Sequence, residues 1–148
     1  MPSVIDGLHL TESYVQALYN ANYKQGRVYP TLAAGVTVVS AATDWVLGAI
    51  TEVIPAGTVS VPFHASMVSI ESCDKDGVFE LAMYHGPTDI PMSTIRFAVQ
   101  GGYFGNQLYL IPSVKILTDV NLSAALACSD GTAGAATITI SIVYREVT

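Results

Sequence analysis

Charge is what this sequence has least of. Asp, Glu, Lys and Arg make up 12% of its 148 residues, against 51% hydrophobic residues, and globular chains usually carry about twice that share of charge. So few charges leave apolar patches on a monomer's surface, and such patches commonly mark subunit or partner contacts. An oligomer, or a protein that lives docked on something larger, is expected.

Basic residues are scarcest. Lys24, Arg27, Lys75, Arg96, Lys115 and Arg145 are the whole set, and the net charge is −6. They form no cluster that could neutralise successive phosphates, which disfavours direct nucleic-acid binding, and no polybasic patch for a membrane surface. Long hydrophobic runs are missing too, although mean hydropathy is +0.45. The longest uncharged run, Val28 to Thr43, is broken by Pro30 and Gly35 and is shorter than a spanning helix. No transmembrane segment is expected. Met1-Pro2-Ser3-Val4-Ile5-Asp6-Gly7 lacks the basic end and apolar stretch of a secretory signal. Cys73 and Cys128 have no C-x-x-C spacing, which speaks against zinc, and leave open a disulfide or two strand-buried thiols.

What the chain does have is β-pattern. In Ala135–Arg145, Ile138, Ile140, Ile142 and Tyr144 fall on one side of an extended chain, with Thr137, Thr139, Ser141 and Val143 on the other. A strand that long cannot stand alone. Further strands are predicted at Val36–Ser40, Trp45–Ile54, Thr58–Val61, Ala65–Cys73, Val78–His85, Thr94–Gln100, Gln107–Ile111 and Val120–Cys128, with Gly, Pro, Asp and Asn turns between them. Asp76-Gly77 is the clearest hairpin marker, and predicts that Ala65–Cys73 and Val78–His85 pair as antiparallel neighbours. With no helical pattern between the strands, a sandwich or barrel is expected over residues 31–148. Alternation places Val68, Ile70, Phe79, Leu81, Met83, Ile95, Phe97, Val99, Val120, Leu122, Ala124 and Leu126 in its core with Ile138, Ile140 and Ile142.

Residues 1–30 read as an arm and a short helix. Tyr14, Val15, Leu18, Tyr19 and Tyr23 make one stripe over Thr11–Lys24. That stripe either packs on the subunit's own sheet or docks on a neighbour or partner. The loop Gly101-Gly102-Tyr103-Phe104-Gly105 has two readings as well, since its aromatics either face a partner or tuck over a barrel end.

Catalytic chemistry is hard to find. His9, His64 and His85 belong to no H-x-H or H-E-x-x-H group, and His64 and Glu71 have opposite strand parity, which argues against a cupin-type metal site. Asp74-Lys75-Asp76-Gly77 is too short for an EF-hand, and Lys75 would oppose a cation, so turn capping explains its acids better. There is no G-x-S-x-G, and the glycine-rich loop lacks a phosphate-binding lysine. No enzyme activity, cofactor or metal is expected.

Several segments carry a family resemblance: Val53-Ile54-Pro55-Ala56-Gly57-Thr58, Phe63-His64-Ala65 leading into an Asp/Gly turn, Phe79–Gly86, Ile95-Arg96-Phe97, Leu122–Ala127 and the final strand. In this order they resemble the small jelly-roll proteins that decorate or cement tailed-bacteriophage heads. The resemblance implies an all-β jelly roll of about eight antiparallel strands. It further implies a homo-oligomer, as a trimer, that binds capsid protein and stabilises the shell, in a virion assembled in the host cytoplasm. Tyr14, Leu18, Tyr19, Tyr23, Tyr103 and Phe104 are the candidate partner-binding residues. The competing expectation is a receptor- or glycan-binding module of a spike or fibre, for which Trp45, Tyr103 and Phe104 are the available aromatics.

Overall fold

The computed structural model describes residues 26–87, 90–101, 107–112 and 114–147. The predicted helical stripe with Tyr14, Leu18, Tyr19 and Tyr23, and the loop aromatics Tyr103 and Phe104, lie outside the described residues. Ten strands follow in order: β1 (Arg27–Tyr29), β2 (Val36–Val39), β3 (Thr51–Ile54), β4 (Phe63–Cys73), β5 (Gly77–His85), β6 (Ser93–Val99), β7 (Gln107–Leu110), β8 (Lys115–Ile116), β9 (Leu122–Cys128) and β10 (Thr137–Glu146).

They form two antiparallel sheets. In the first, β1 and β2 pair along one edge of β10, β4 along the other, and β7 and β8 lie beyond β4; the second runs β3-β9-β5-β6. From β2 to β6 the chain passes back and forth between sheets before β5 and β6 pair directly. This is the strand order of a jelly-roll sandwich, so the all-β expectation holds.

β10 sets the rest in place. Its inward residues Ile138, Ile140 and Ile142 are fully buried. Ile140 lies opposite Ile70 and Ile142 opposite Val68 on β4. Burying each such side chain is worth about 1.5–3 kcal/mol before the entropy of ordering is subtracted. The pairing skips a residue of β4 between Thr139 and Ile140 and again between Val143 and Tyr144. These bulges, at Glu71 and Ser66, restart the alternation of β4, which strict counting from His64 to Glu71 misses. Each is tied down: the Ser66 hydroxyl donates to the Val143 carbonyl (3.1 Å), and the Glu71 carboxylate accepts the Gly35 N–H (3.0 Å).

Between the sheets, Phe79 of β5 stacks on Phe97 of β6 (5.2 Å), and Phe97 meets Tyr109 of β7 (6.1 Å), so aromatic packing joins the two edges. Burial pushes the Tyr109 phenol up from its usual range, and its hydroxyl is bonded to the Gln107 side chain. Every core residue expected from alternation is buried except Val120, which is half-buried ahead of β9.

Three expectations are corrected. Ala65–Cys73 and Val78–His85 are not hairpin partners, because β4 and β5 belong to different sheets. Asp76-Gly77 does mark a tight reversal, with Gly77 at φ +147°. What redirects the chain is its bonding to other turns: Asp74 accepts the Thr137 N–H (2.8 Å), Asp76 accepts that of Gly101 (3.0 Å), and Val78 N–H donates to the Ser129 hydroxyl (3.0 Å). The predicted strand at Trp45–Ile54 survives only as β3. Trp45 sits at φ +58°, and Gly48 lies so close to β2 that a Cβ there would meet the Val39 carbonyl oxygen at 2.1 Å. Thr58–Val61 is not a strand, since Thr58 N–H closes a turn on the Pro55 carbonyl (3.1 Å). The strand β9 is buried on both faces. Its outward Ser123, Ala125 and Ala127 stand among taller neighbours, with Ser123 opposite Tyr84 and Ala127 opposite Glu80. The short strands β1 and β8 were not expected.

Lys75 fastens one end of the sandwich. Its ammonium donates to the carbonyls of Asp130 (2.7 Å) and Gly134 (2.9 Å), holding the β9–β10 turn against the β4–β5 turn. Lys75→Met should cost about 1 kcal/mol. Ile140→Ala should cost about 2–5 kcal/mol, whereas the outward, half-buried Val143→Ala should cost under about 1 kcal/mol. Urea unfolding of the three variants, read as midpoint shifts at constant slope, checks this ranking.

Candidate interaction surfaces

The outer face of the first sheet has an apolar row. Register places Val28 of β1 beside Val143 of β10, Val143 beside Met67 of β4, and Met67 beside Leu110 of β7. Leu108 follows two residues along the same edge, and Leu108 and Leu110 are 61% and 82% exposed. Exposed leucines on β7 invert the usual pattern. Either face of Gln107–Ile111 is partly apolar, and the packing of Tyr109 on Phe97 decides which one turns inward. Beside this row lies another, Arg145–His64–Lys115, again in cross-strand register. Three of the six Lys and Arg residues, Arg27, Lys115 and Arg145, thus gather at one end of this sheet.

A cleft of about 430 Å³ opens on the β1–β2 side, lined by Arg27, Val28, Pro30, Leu32 and Glu71 among others. A second depression, of about 490 Å³, lies between Ala56, Gly57, Val59 and Asp119. Neither brings together an acid, a base and a nucleophile.

The second apolar surface is the irregular segment ahead of β3. Trp45, Val46, Leu47 and Ile50 are all exposed, Ile50 at 54%. The segment is fixed along β9 by bonds from Trp45 N–H to the Cys128 carbonyl (2.8 Å) and from Gly48 N–H to the Leu126 carbonyl (2.9 Å). The Arg96 guanidinium, which also pairs with Glu80 at 2.7 Å, lies 5.0 Å from the centre of the Trp45 ring.

This segment is flanked by acid. Asp44 precedes it, and Asp130 is two residues past its anchor on Cys128. Asp44 accepts both the hydroxyl (2.5 Å) and the N–H (2.8 Å) of Thr132. The Thr132 hydroxyl bond is the main reason the Asp44 carboxyl is held below its usual 3.8.

Among the described residues no three His, Cys, Asp or Glu side chains come together as a metal-binding group. Cys73 and Cys128 are both free thiols, Cys128 buried, and burial pushes the Cys73 thiol up. No helix among the described residues is long and apolar enough to cross a membrane.

No protein-family model matches the sequence, and no curated protein matches it. A search of solved structures finds a chain in the structure of infectious bursal disease virus Gx strain, at TM-score 0.40 and 16% identity, covering 84% of this chain. The present chain spans 33% of that one. The jelly-roll assignment stands on the hydrogen-bonded strand order.

Of the two apolar surfaces only Trp45 was among the residues weighed for binding, as a receptor or glycan contact. Trp45–Ile50 read as strand because its apolar run hides the kink at Trp45. The six basic residues read as unclustered along the sequence, and the gathering of Arg27, Lys115 and Arg145 appears only in the register of β1, β4, β8 and β10.

A depressed carboxyl contributes stability above the unfolded-state value, and loses it as pH falls through the lower folded value. Titration of the Asp44 carboxyl by NMR should give a midpoint below 3.8, and Thr132→Val should raise that midpoint toward 3.8.

Proposed function

We propose that this protein is a structural virion subunit that decorates and stabilises a capsid by self-association and docking on the shell. The observation that carries the reading is the exposed aliphatic surface on each of two sheets, Val28–Leu110 and Trp45–Ile50, in a chain with 12% charged residues. A sandwich that leaves such surfaces uncovered is built to be covered by other protein. The jelly-roll strand order and the resemblance to bacteriophage head-decoration proteins support the same reading, which extends to trimers, to assembly in the host cytoplasm, and to a role without catalysis or direct nucleic-acid contact.

The glycan-binding alternative has only Trp45 among the described residues to rest on. Stacking on a sugar needs an open aromatic face beside polar groups, and at Trp45 one face of the ring is taken by Arg96 while its neighbours Val46 and Leu47 are apolar.

Light scattering of the purified protein should give a mass of several chains, and the protein should co-sediment with its parent capsids. Removing residues 1–26, which carry the tyrosine stripe, should lower capsid occupancy at least tenfold at subsaturating protein. Unchanged occupancy excludes that segment from the grip, and a monomer that never co-sediments excludes the proposed role.

A further inference from the structure

The two apolar surfaces differ in charge. The row on the first sheet borders Arg145 and Lys115, with Arg27 at the same end. The segment ahead of β3 has Asp44 and Asp130 at its Trp45 end, the end where Asp74 and Asp76 also sit. β10 measures the distance between them. Its first residue, Thr137, donates its N–H to Asp74, and Arg145 lies eight residues further on, roughly 26 Å along an extended strand.

Glu146 is buried and pairs with Arg27 at 3.5 Å, and Asp119 lines the separate depression with Ala56 and Gly57. At the acidic end the described cations are Lys75, whose ammonium is bonded to the carbonyls of Asp130 and Gly134, and Arg96, which lies over the Trp45 ring and pairs with Glu80 at 2.7 Å. The domain therefore presents an apolar surface with a basic border at one end and an apolar surface with an acidic border at the other.

We infer that copies of this chain associate head to tail, the Val28–Leu110 row of one seating on the Trp45–Ile50 segment of the next, with Lys115 and Arg145 against Asp44 and Asp130. Contact between like surfaces would bring cations against cations, or carboxylates against carboxylates, whereas contact between unlike ones pairs opposite charges across an apolar centre. The two surfaces lie on different sheets, so one subunit can use both at once. A heterologous contact of this kind propagates into a closed ring or an open filament. The inference rests on the self-association proposed above and specifies its geometry.

Two variants of the full chain test it: Leu110→Asp/Lys115→Glu on the basic surface and Ile50→Lys/Asp130→Lys on the acidic one. All four positions are exposed, and circular dichroism with thermal melting establishes that each variant folds. By sedimentation velocity each alone should lose the wild-type assembly, with its association midpoint moved at least tenfold upward in concentration. Mixing the two should restore association, because the intact basic surface of one then meets the intact acidic surface of the other. Raising salt from 50 mM to 500 mM should weaken wild-type assembly, because exposed charge pairs are screened over about 3–10 Å. Folded variants that assemble like wild type, or variants whose association is lost and not restored by mixing, overturn the head-to-tail contact while leaving self-association standing. A wild-type chain that is monomeric throughout overturns both.

Discussion

The structure depends on one strand being shared. β10 takes β1 and β2 along one edge and β4 along the other, and puts Ile138, Ile140 and Ile142 into the space between the sheets. No local hairpin could build this, because β4 and β10 are separated by more than sixty residues in the chain. Such pairing must overcome a large loop-closure entropy before any burial is gained. The long alternating run that ends the sequence is what makes it worthwhile: a buried isoleucine at every second position, on a backbone bonded along both edges.

From that strand outward, the sandwich grades from fully to partly covered. The middle of the second sheet is covered by its own small residues, with Ser123, Ala125 and Ala127 sunk between Tyr84, Glu80 and their neighbours. At the margins, Leu108, Leu110, Val46 and Ile50 stay in contact with water. Among the described residues Asp44, Asp74, Lys75, Asp76, Asp119 and Asp130 lie in turns, which leaves the strands with few charges to cover their outer faces.

Much of the fold was legible because period-two alternation and turn residues are local signals. Ile138, Leu81 and Phe97 could be placed in the core without any knowledge of their partners. Sheet membership was not legible in the same way. Asp76-Gly77 signals a reversal, yet whether the reversal makes a hairpin or a crossing between sheets depends on Thr137 and Ser129, far along the chain. The bulges at Ser66 and Glu71 and the kink at Trp45 likewise depend on long-range partners. The interaction surfaces were less legible still. Exposure of Leu110 follows from Tyr109 having the better inward fit, and the basic row exists only once β4, β8 and β10 are in register.

The tether at Lys75 has a consequence for how such a domain would survive digestion. Proteases that cut after lysine or arginine need the basic residue on a stretch of backbone that can lift away and thread through their cleft. Among the described residues Arg27, Arg96, Lys115 and Arg145 lie inside strands, and Lys75, the one in a turn, has its ammonium held by two carbonyls. A trypsin-like enzyme would find almost nothing to grasp there until the sheets themselves come apart.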